Sequence, residues 1–118
     1  MIKILKAKLQ NLTVTDKSVY YEGSLGLDKR FLEISGILPY EEVLVVNVNN
    51  GERFETYVIE EEYGSNLVVL RGAAARLGEI GDKIIVMAFR YIKEEEYSLY
   101  KPKIILFKEK NEISNILT

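Results

Sequence analysis

Short segments rich in β-branched residues, each followed by turn residues, recur along this chain. Two of them are the almost continuous apolar run Val43–Val48 and the segment Arg53–Glu60, which are joined by Asn49-Asn50-Gly51. A turn of this composition is typical of a hairpin, and an apolar run is typical of a strand buried on both faces. The pattern predicts a mainly β fold.

The same pattern predicts the other strands. We expect them at residues 2–9, 12–15, 18–22, 66–71, 83–90 and 104–108. In the first of these, the apolar phase slips after Ile4, so that Leu5 and Leu9 share one face. The tail, residues 108–118, is polar until near its end, and it is either mobile or packed against a neighbouring subunit.

Helical signals are few and short. Asp28 is a suitable N-cap, and Gly36 lies where a short helix starting there would end. The stretch Gly72–Leu77 predicts a second short helix, closed by Gly78, and residues 93–97 predict a further turn. The segments that begin at Gly36 and Gly78 also echo each other, since each has an apolar residue, an acidic turn and a buried strand. This weak repeat predicts a pseudo-symmetric barrel, whose closure would protect the strand edges.

Composition limits both size and function. The 118 residues, 47% of them hydrophobic, fit a single domain, 1–118. A net charge of −2 argues against nucleic acid as a partner. The apolar runs are too short to span a membrane, and lysines interrupt the apolar residues at the N-terminus, so we expect a cytoplasmic protein without a signal peptide.

The sequence contains no histidine and no cysteine. This excludes a Ser-His-Asp relay, a cysteine nucleophile, a disulfide framework and a metal site ligated by either residue. The pair Gly23-Ser24 offers a different chemistry, because glycine permits backbone angles that other residues resist. The serine hydroxyl in such a turn can attack the carbonyl of the preceding residue, and the rearrangement can leave a covalently attached carbonyl group.

Each other candidate also has a structural interpretation. Gly-Ser pairs are common in turns, so Gly23-Ser24 also fits an ordinary turn. Lys8, taken alone, is typical of a surface lysine. Arg53 is either solvated or able to bind a carboxylate through two hydrogen bonds. Tyr57, four residues later on the same strand face, either packs or takes part in catalysis. Gly72–Ala75 is either a helix of small residues or a set of backbone N–H groups ready for an anion or a carbonyl oxygen.

Taken together, these motifs resemble the aspartate 1-decarboxylase family, pyruvoyl-dependent enzymes that make β-alanine for pantothenate synthesis. Several separate motifs in one order are far more specific than any one alone. The resemblance runs over almost the whole chain and includes Lys8-Leu9, Tyr21-Glu22-Gly23-Ser24, Ser35-Gly36-Ile37-Leu38, Asn47-Val48-Asn49-Asn50-Gly51, Arg53-Phe54-Glu55-Thr56-Tyr57, Gly72-Ala73-Ala74-Ala75 and Gly81-Asp82.

The resemblance implies a double-psi β-barrel with a few short helices, assembled as a homotetramer with active sites between subunits. It implies self-cleavage between Gly23 and Ser24 into residues 1–23 and 24–118, with Ser24 converted into a covalent pyruvoyl cofactor. The carbonyl of that group would form a Schiff base with the amine of L-aspartate and act as an electron sink.

The family's functional positions match this chain residue by residue. Tyr57 matches the proton donor, and Arg53 and Lys8 match the cationic residues that face the substrate's carboxylates. The other matched positions contact substrate or line the site; they are Thr56, Gly72, Ala73, Ala74 and Tyr21.

Three positions depart from the family pattern. Arg71 stands where the family usually has Asn, Gln10 where many members have His, and Val46 where some have an aromatic residue. Arg71 either adds a further cation to the site or pairs with an acid such as Glu79, and its position beside the Gly72–Ala75 stretch favours the first.

Two alternatives to aspartate decarboxylation stay open. One is a pyruvoyl-dependent decarboxylase of another small amino acid, such as glutamate. The other is an unprocessed, non-catalytic barrel. The presence of Ser24, Arg53 and Tyr57 together argues against the second, because an inactive protein needs none of the three.

Overall fold

The computed structural model describes residues 1–117, and the mainly β prediction is confirmed. The strands are β1 (Ile2–Thr13), β2 (Asp16–Ser18), β3 (Ser24–Asp28), β4 (Glu42–Asn47), β5 (Arg53–Glu61), β6 (Val68–Arg71), β7 (Lys83–Ile92), β8 (Lys103–Lys108) and β9 (Glu112–Leu117). The helix α1 is Lys29–Ser35, and short 3-10 turns are Gly72–Leu77, Glu94–Leu99 and Glu109–Asn111. No helix within these residues is long and apolar enough to cross a membrane.

The strands close into a barrel. They form one sheet in the order β2-β6-β3-β5-β4-β7-β1-β8-β9. Only Val14 and Thr15 separate β1 from β2, and their N–H groups donate to the carbonyl oxygens of Asp82 and Val68 at 2.9 and 2.8 Å. Because β1 and β2 are parts of one extended segment, the sheet from β2 to β1 closes on itself as six strand positions. This agrees with the predicted double-psi β-barrel, and the β8–β9 hairpin lies outside it.

The strand β3 runs through the most buried part of the sheet. All five of its residues are buried, and it pairs in parallel with β5 and antiparallel with β6. Its own Leu25 and Leu27 belong to a core of fully buried apolar side chains, each of which contributes roughly 1.5–3 kcal/mol by leaving water. They include Leu9, Leu12, Leu25, Leu27, Val45, Val58, Leu70 and Val86.

The internal repeat in the sequence corresponds to two equivalent turns. The carboxylates of Glu41 and Asp82 each accept a hydrogen bond from the backbone N–H three residues earlier, at 2.9 and 2.8 Å. The residues before them, Tyr40 and Gly81, both have positive φ, at 71° and 95°. One turn leads into β4 and the other into β7, and these two strands pair antiparallel. The predicted pseudo-symmetry therefore has a structural basis.

The predicted cap of α1 is confirmed. The buried carboxylate of Asp28 accepts a hydrogen bond from the Arg30 N–H at 2.7 Å, and Gly36 ends the helix with φ 77°. The same carboxylate accepts from the N–H groups of Gly64 and Asn66 at 3.0 and 2.7 Å. Asp28 therefore joins the end of β3 to the loop between β5 and β6.

Some strand predictions are wrong. Of residues 18–22 only Ser18 lies in a strand, because residues 19–23 form the bent loop that leads into β3. Val14 and Thr15 lie outside the strands. In the tail, residues 112–117 form β9, antiparallel to β8, and Thr118 lies outside the described residues. A phase slip is confirmed as a bulge where β1 pairs with β7, but it lies between Leu5 and Ala7. Leu5 is opposite Phe89 and Leu9 is opposite the buried Val86, so the expectation that Leu5 and Leu9 share one face is wrong.

Candidate active site

The Gly23–Ser24 bond lies where the bent loop meets the sheet. Gly23 is exposed and outside any strand, whereas Ser24 is the first residue of β3 and is 2% exposed. The backbone of Ser24 is paired with that of Arg71 on β6. The sheet therefore fixes the serine side of the bond, whereas the glycine side lies outside the strand pairing.

A pocket of about 480 Å³ opens beside Ser24. Leu25 lies opposite Val58 in the parallel β3–β5 pair, so Ser24 and Tyr57 occupy the preceding positions on the two strands. The predicted residues Tyr21, Ser24 and Tyr57 thus line one pocket, whose volume suits a small-molecule ligand. Its full lining is Tyr21, Glu22, Ser24, Pro39, Tyr40, Tyr57, Ile59 and Glu60.

The pocket lining is acidic. Among the described residues that line it, Glu22 and Glu60 are carboxylates and none is basic. A doubly negative amino acid would therefore meet no opposite charge from this chain's own lining.

Gly72 packs directly against the loop that precedes Ser24. Its φ is +65°, and a Cβ at this position would lie 2.6 Å from the Tyr21 carbonyl oxygen and 2.7 Å from the N and Cα of Gly23. Only glycine fits both the backbone angle and the space. In the 3-10 turn that follows, Ala74 is buried and Ala73 is exposed, and neither lines the pocket beside Ser24.

Thr56 alternates with Tyr57 along β5 and therefore points to the opposite face of the strand. It is half-buried, on the same face as the fully buried Val58, and it lies opposite Val43 on β4. It is not part of the pocket lining in this chain.

The two predicted substrate cations lie away from this pocket. Lys8 is half-buried on the outer face of β1, and β7 and β4 separate it from β5, a distance of roughly 14 Å across the sheet. Arg53 is exposed at the start of β5, about 13 Å along the strand from Tyr57. In the described part of the chain, neither is in an ion pair.

Arg71 does not line the pocket. Its Nη2 and Nε atoms donate to Glu61 Oε2 at 2.8 and 3.3 Å, and its guanidinium lies 4.6 Å from the centre of the Tyr21 ring. Of the two alternatives for Arg71, the structure therefore contains the ion pair with an acid, and that acid is Glu61. The expected partner Glu79 instead binds Lys17 at 2.7 Å. Arg71 touches the loop before the Gly23–Ser24 bond instead of entering the pocket.

Glu61 lies in none of the motifs identified from the sequence, and its role was therefore missed. The Glu61 side chain is only 13% exposed, because it pairs with Arg71. A signal for it exists in the alternation of β5, since the period that puts Arg53 and Tyr57 on one face also puts Glu61 there.

The fold and the pocket define a class: a small closed β-barrel whose buried serine begins a strand, follows an exposed glycine and lies beside a tyrosine. The family model described as aspartate decarboxylase matches residues 1–114. The chain belongs to the aspartate decarboxylase family.

Similar proteins named aspartate 1-decarboxylase cover nearly the whole chain. The protein from Thermosipho africanus is 53% identical over 113 residues, which are 96% of this chain and 92% of that protein. The protein from Fervidobacterium nodosum is 51% identical over 113 residues, 96% of each. The protein from Caldicellulosiruptor saccharolyticus is 49% identical over 113 residues, 96% of this chain and 88% of that one. The family resemblance read from the motifs is confirmed.

Proposed function

We propose that this protein is a self-processing, pyruvoyl-dependent decarboxylase that converts L-aspartate to β-alanine and CO₂ for pantothenate biosynthesis. The observation that carries the proposal is the pocket shared by Ser24 and Tyr57, with the exposed Gly23 immediately before the serine. Membership of the aspartate decarboxylase family supports the reaction and the substrate. The cytoplasm is the proposed compartment, because a chain without cysteine cannot build the disulfides typical of small secreted domains.

Maturation would proceed in three balanced steps. The Ser24 hydroxyl attacks the Gly23 carbonyl carbon, and the amide C–N bond is replaced by an ester bond. The ester then eliminates residues 1–23 as a free carboxylate and leaves a carbon–carbon double bond at position 24. Water replaces the nitrogen, which leaves as ammonia, and a ketone forms at the start of residues 24–118. No oxidant is needed.

The surroundings of Ser24 fit a pyruvoyl group at this position. The group would stay bonded to Leu25, which is fully buried in β3, and it would therefore be held rigidly at the pocket wall. When present, such a group supplies an electron sink for decarboxylation. The Tyr57 hydroxyl, in the same pocket, is the proposed source of the proton that replaces CO₂.

Substrate binding requires positive charge, and no described residue of the pocket lining in one chain is basic. Lys8 and Arg53 lie on the outer face of the sheet made by β1, β7, β4 and β5. That face also carries half-buried apolar side chains, which are Leu44, Val46, Ile85, Met87 and Phe89. These features support a homotetramer in which the outer face of one copy brings Lys8 and Arg53 to the pocket of another. Thr56, Gly72, Ala73 and Ala74 are the further substrate-contacting positions in this proposal, and Tyr21 is a residue lining the site.

The test is the product formed by processed protein. Purified, aged protein is incubated separately with L-aspartate and L-glutamate, and CO₂ and the product amine are measured. We expect β-alanine from aspartate, and none from the uncleavable Ser24→Ala control. Turnover of glutamate but not aspartate would reassign the substrate, and processed protein that decarboxylates neither would contradict the proposed activity.

A further inference from the structure

An ion pair crosses over the strand that begins at the Gly23–Ser24 bond. Glu61 lies on β5 opposite Asp28, and Arg71 lies on β6 opposite Ser24. The strand β3 runs between β5 and β6, so the two side chains must reach over it to meet at 2.8 Å. The Arg71 and Glu61 side chains are only 20% and 13% exposed, so solvent screens this pair less than a surface pair.

Gly26 makes room for this crossing. It lies in β3 midway between the residues opposite Arg71 and Glu61, and a Cβ built on it would overlap the Glu61 carboxylate. Its φ lies outside the left-handed region, so its backbone does not require glycine. The missing side chain is therefore explained by the carboxylate that lies above it.

Arg71 also holds the other side of the Gly23–Ser24 bond. Its guanidinium stacks on the ring of Tyr21, at 4.6 Å from the ring centre. Tyr21 belongs to the bent loop and is 55% exposed. The stack therefore attaches the exposed ring of this loop to an arginine that is itself paired with Glu61.

From this arrangement we infer that the Arg71–Glu61 pair is a positioning device for self-cleavage. Glu61 orients Arg71, Arg71 orients Tyr21, and Tyr21 holds the loop so that the Gly23 carbonyl stays within reach of the Ser24 hydroxyl. The inference rests on the proposed cleavage at this bond. Arg71 is a positioning residue, because it acts through Tyr21 and does not line the pocket.

If the Arg71–Glu61 pair positions the loop, breaking the pair should slow self-cleavage but not the decarboxylation catalysed by matured protein. Two variants break it in different ways: Glu61→Gln removes the charge, and Gly26→Ala displaces the carboxylate without changing any charge. Glu79→Gln is the matched control, because it breaks an exposed lysine–carboxylate pair, Lys17–Glu79, that includes neither Arg71 nor Glu61. Intact mass is followed with time on freshly made precursor, and kcat per pyruvoyl group is measured on the fraction that has matured.

We expect cleavage to slow roughly 10- to 100-fold in both variants, because misplacing a reacting group by about 1 Å has an effect of this size. The control should cleave at the wild-type rate. Arg71→Lys should give an intermediate rate, since it keeps the charge for Glu61 but stacks less well on Tyr21. In matured protein, kcat per pyruvoyl group should stay within about two-fold of wild type, because the pair positions groups for self-cleavage, which is complete before decarboxylation begins.

The outcomes separate this inference from the proposed function. If wild type never cleaves, the proposed function fails and the inference fails with it. If wild type cleaves and the folded variants cleave equally fast, only the inference fails. It also fails if cleavage, melting temperature and kcat per pyruvoyl group all fall together, because that pattern marks a general structural role. If neither of the other variants folds, Arg71→Lys, which keeps the ion pair, is the deciding variant. Cleavage at the wild-type rate in Arg71→Lys would overturn the inference, and the expected slower cleavage would support it.

Discussion

At the scale of single residues, the site depends on a contrast across one peptide bond. Gly23 is exposed and lies outside the strands, whereas Ser24 is buried and is the first residue of β3. Gly72 supports the loop from the other side in a conformation that favours glycine. These residues have separate tasks, so single substitutions should separate cleavage from decarboxylation.

Tyr57→Phe tests proton return. The change removes only a hydroxyl from a half-buried ring, so the fold and the cleavage at Ser24 should persist. Decarboxylation should fall by roughly 10²-fold or more, the usual contribution of a general acid. Steady-state kinetics on fully processed protein measures the effect, and near-normal turnover would assign the proton to another group.

Gly72→Ala tests the contact beneath the loop. The new methyl group would meet backbone atoms of Tyr21 and Gly23, so we expect strongly slowed cleavage as well as a loss of stability of about 1–3 kcal/mol. Gly51→Ala is the control, because Gly51 also has positive φ, at 79°, but has no atom within 4 Å of a new Cβ. Equal cleavage rates in the two variants would mean that backbone strain alone matters.

At the scale of elements, the two equivalent turns set the ends of β4 and β7. Asp82 closes the second turn, and its carboxylate accepts hydrogen bonds from Asn47 Nδ2 at 2.9 Å and from the Glu79 N–H at 2.8 Å. The hydrogen bond from Asn47, the one from Glu79 and the charge of Lys17 together lower the pKa of Asp82 below its ordinary value of 3.8.

The sign of this shift predicts an acid-dependent loss of stability. Because the folded-state pKa is below that of the unfolded chain, the stabilisation is fully present above the unfolded value of 3.8 and is lost as pH falls through the folded pKa. Asp82→Asn should therefore lower the free energy of unfolding at neutral pH, and the difference from wild type should shrink in acid. Urea denaturation at several pH values measures it, and a difference independent of pH would contradict the assignment.

The strands that sequence could and could not predict differ in how they are stabilised. β4, β5 and β7 carry apolar alternation or apolar runs, because buried side chains on one face alternate with half-buried or exposed ones on the other. The expected burial of Val43–Val48 on both faces is therefore wrong, since only one face of β4 is buried and Val48 is exposed. β9 is mostly exposed and is held by backbone pairing to β8, which leaves no apolar pattern to read. β3 contains Gly26 and Asp28, residues that weaken a strand signal but have the specific partners Glu61 and the α1 N-terminus.

The pocket was predictable only in part for a similar reason. A Gly-Ser pair or a strand tyrosine is too common to mark a site alone, and it was the ordered set of family motifs that identified Ser24 and Tyr57. Glu61 belongs to none of those motifs. Its contact with Arg71 depends on β5 and β6 lying on either side of β3, an arrangement that local sequence does not encode.

At the scale of the whole molecule, the proposed site needs more than one copy of the chain. The pocket at Ser24 has no basic residue among its described lining, and Lys8 and Arg53 lie on the outer sheet face. Light scattering should give a tetramer in solution. A stable and active monomer would contradict this assembly.

If each active site combines residues from two copies of the chain, two different inactive variants should complement each other. Arg53→Ala keeps Ser24 but lacks a substrate cation, and Ser24→Ala keeps Arg53 but cannot form the cofactor. Each alone should be inactive or nearly so. Co-expressed, they should recover activity, because some pockets combine a processed Ser24 from one copy with Arg53 from another. Mixed tetramers without recovered activity would show that each chain supplies its own Arg53.

Self-cleavage at Ser24 changes the mass of the chain, so it can be followed by intact mass measurement of the purified protein. Wild type, freshly made and after incubation with and without host-cell extract, should convert to residues 1–23 and a fragment of residues 24–118. The larger fragment should be lighter, by one ammonia, than a chain starting with serine, and it should react with carbonyl reagents. Ser24→Ala should remain a single chain. A wild-type protein that stays intact under both conditions, with an unmodified Ser24, would contradict the account.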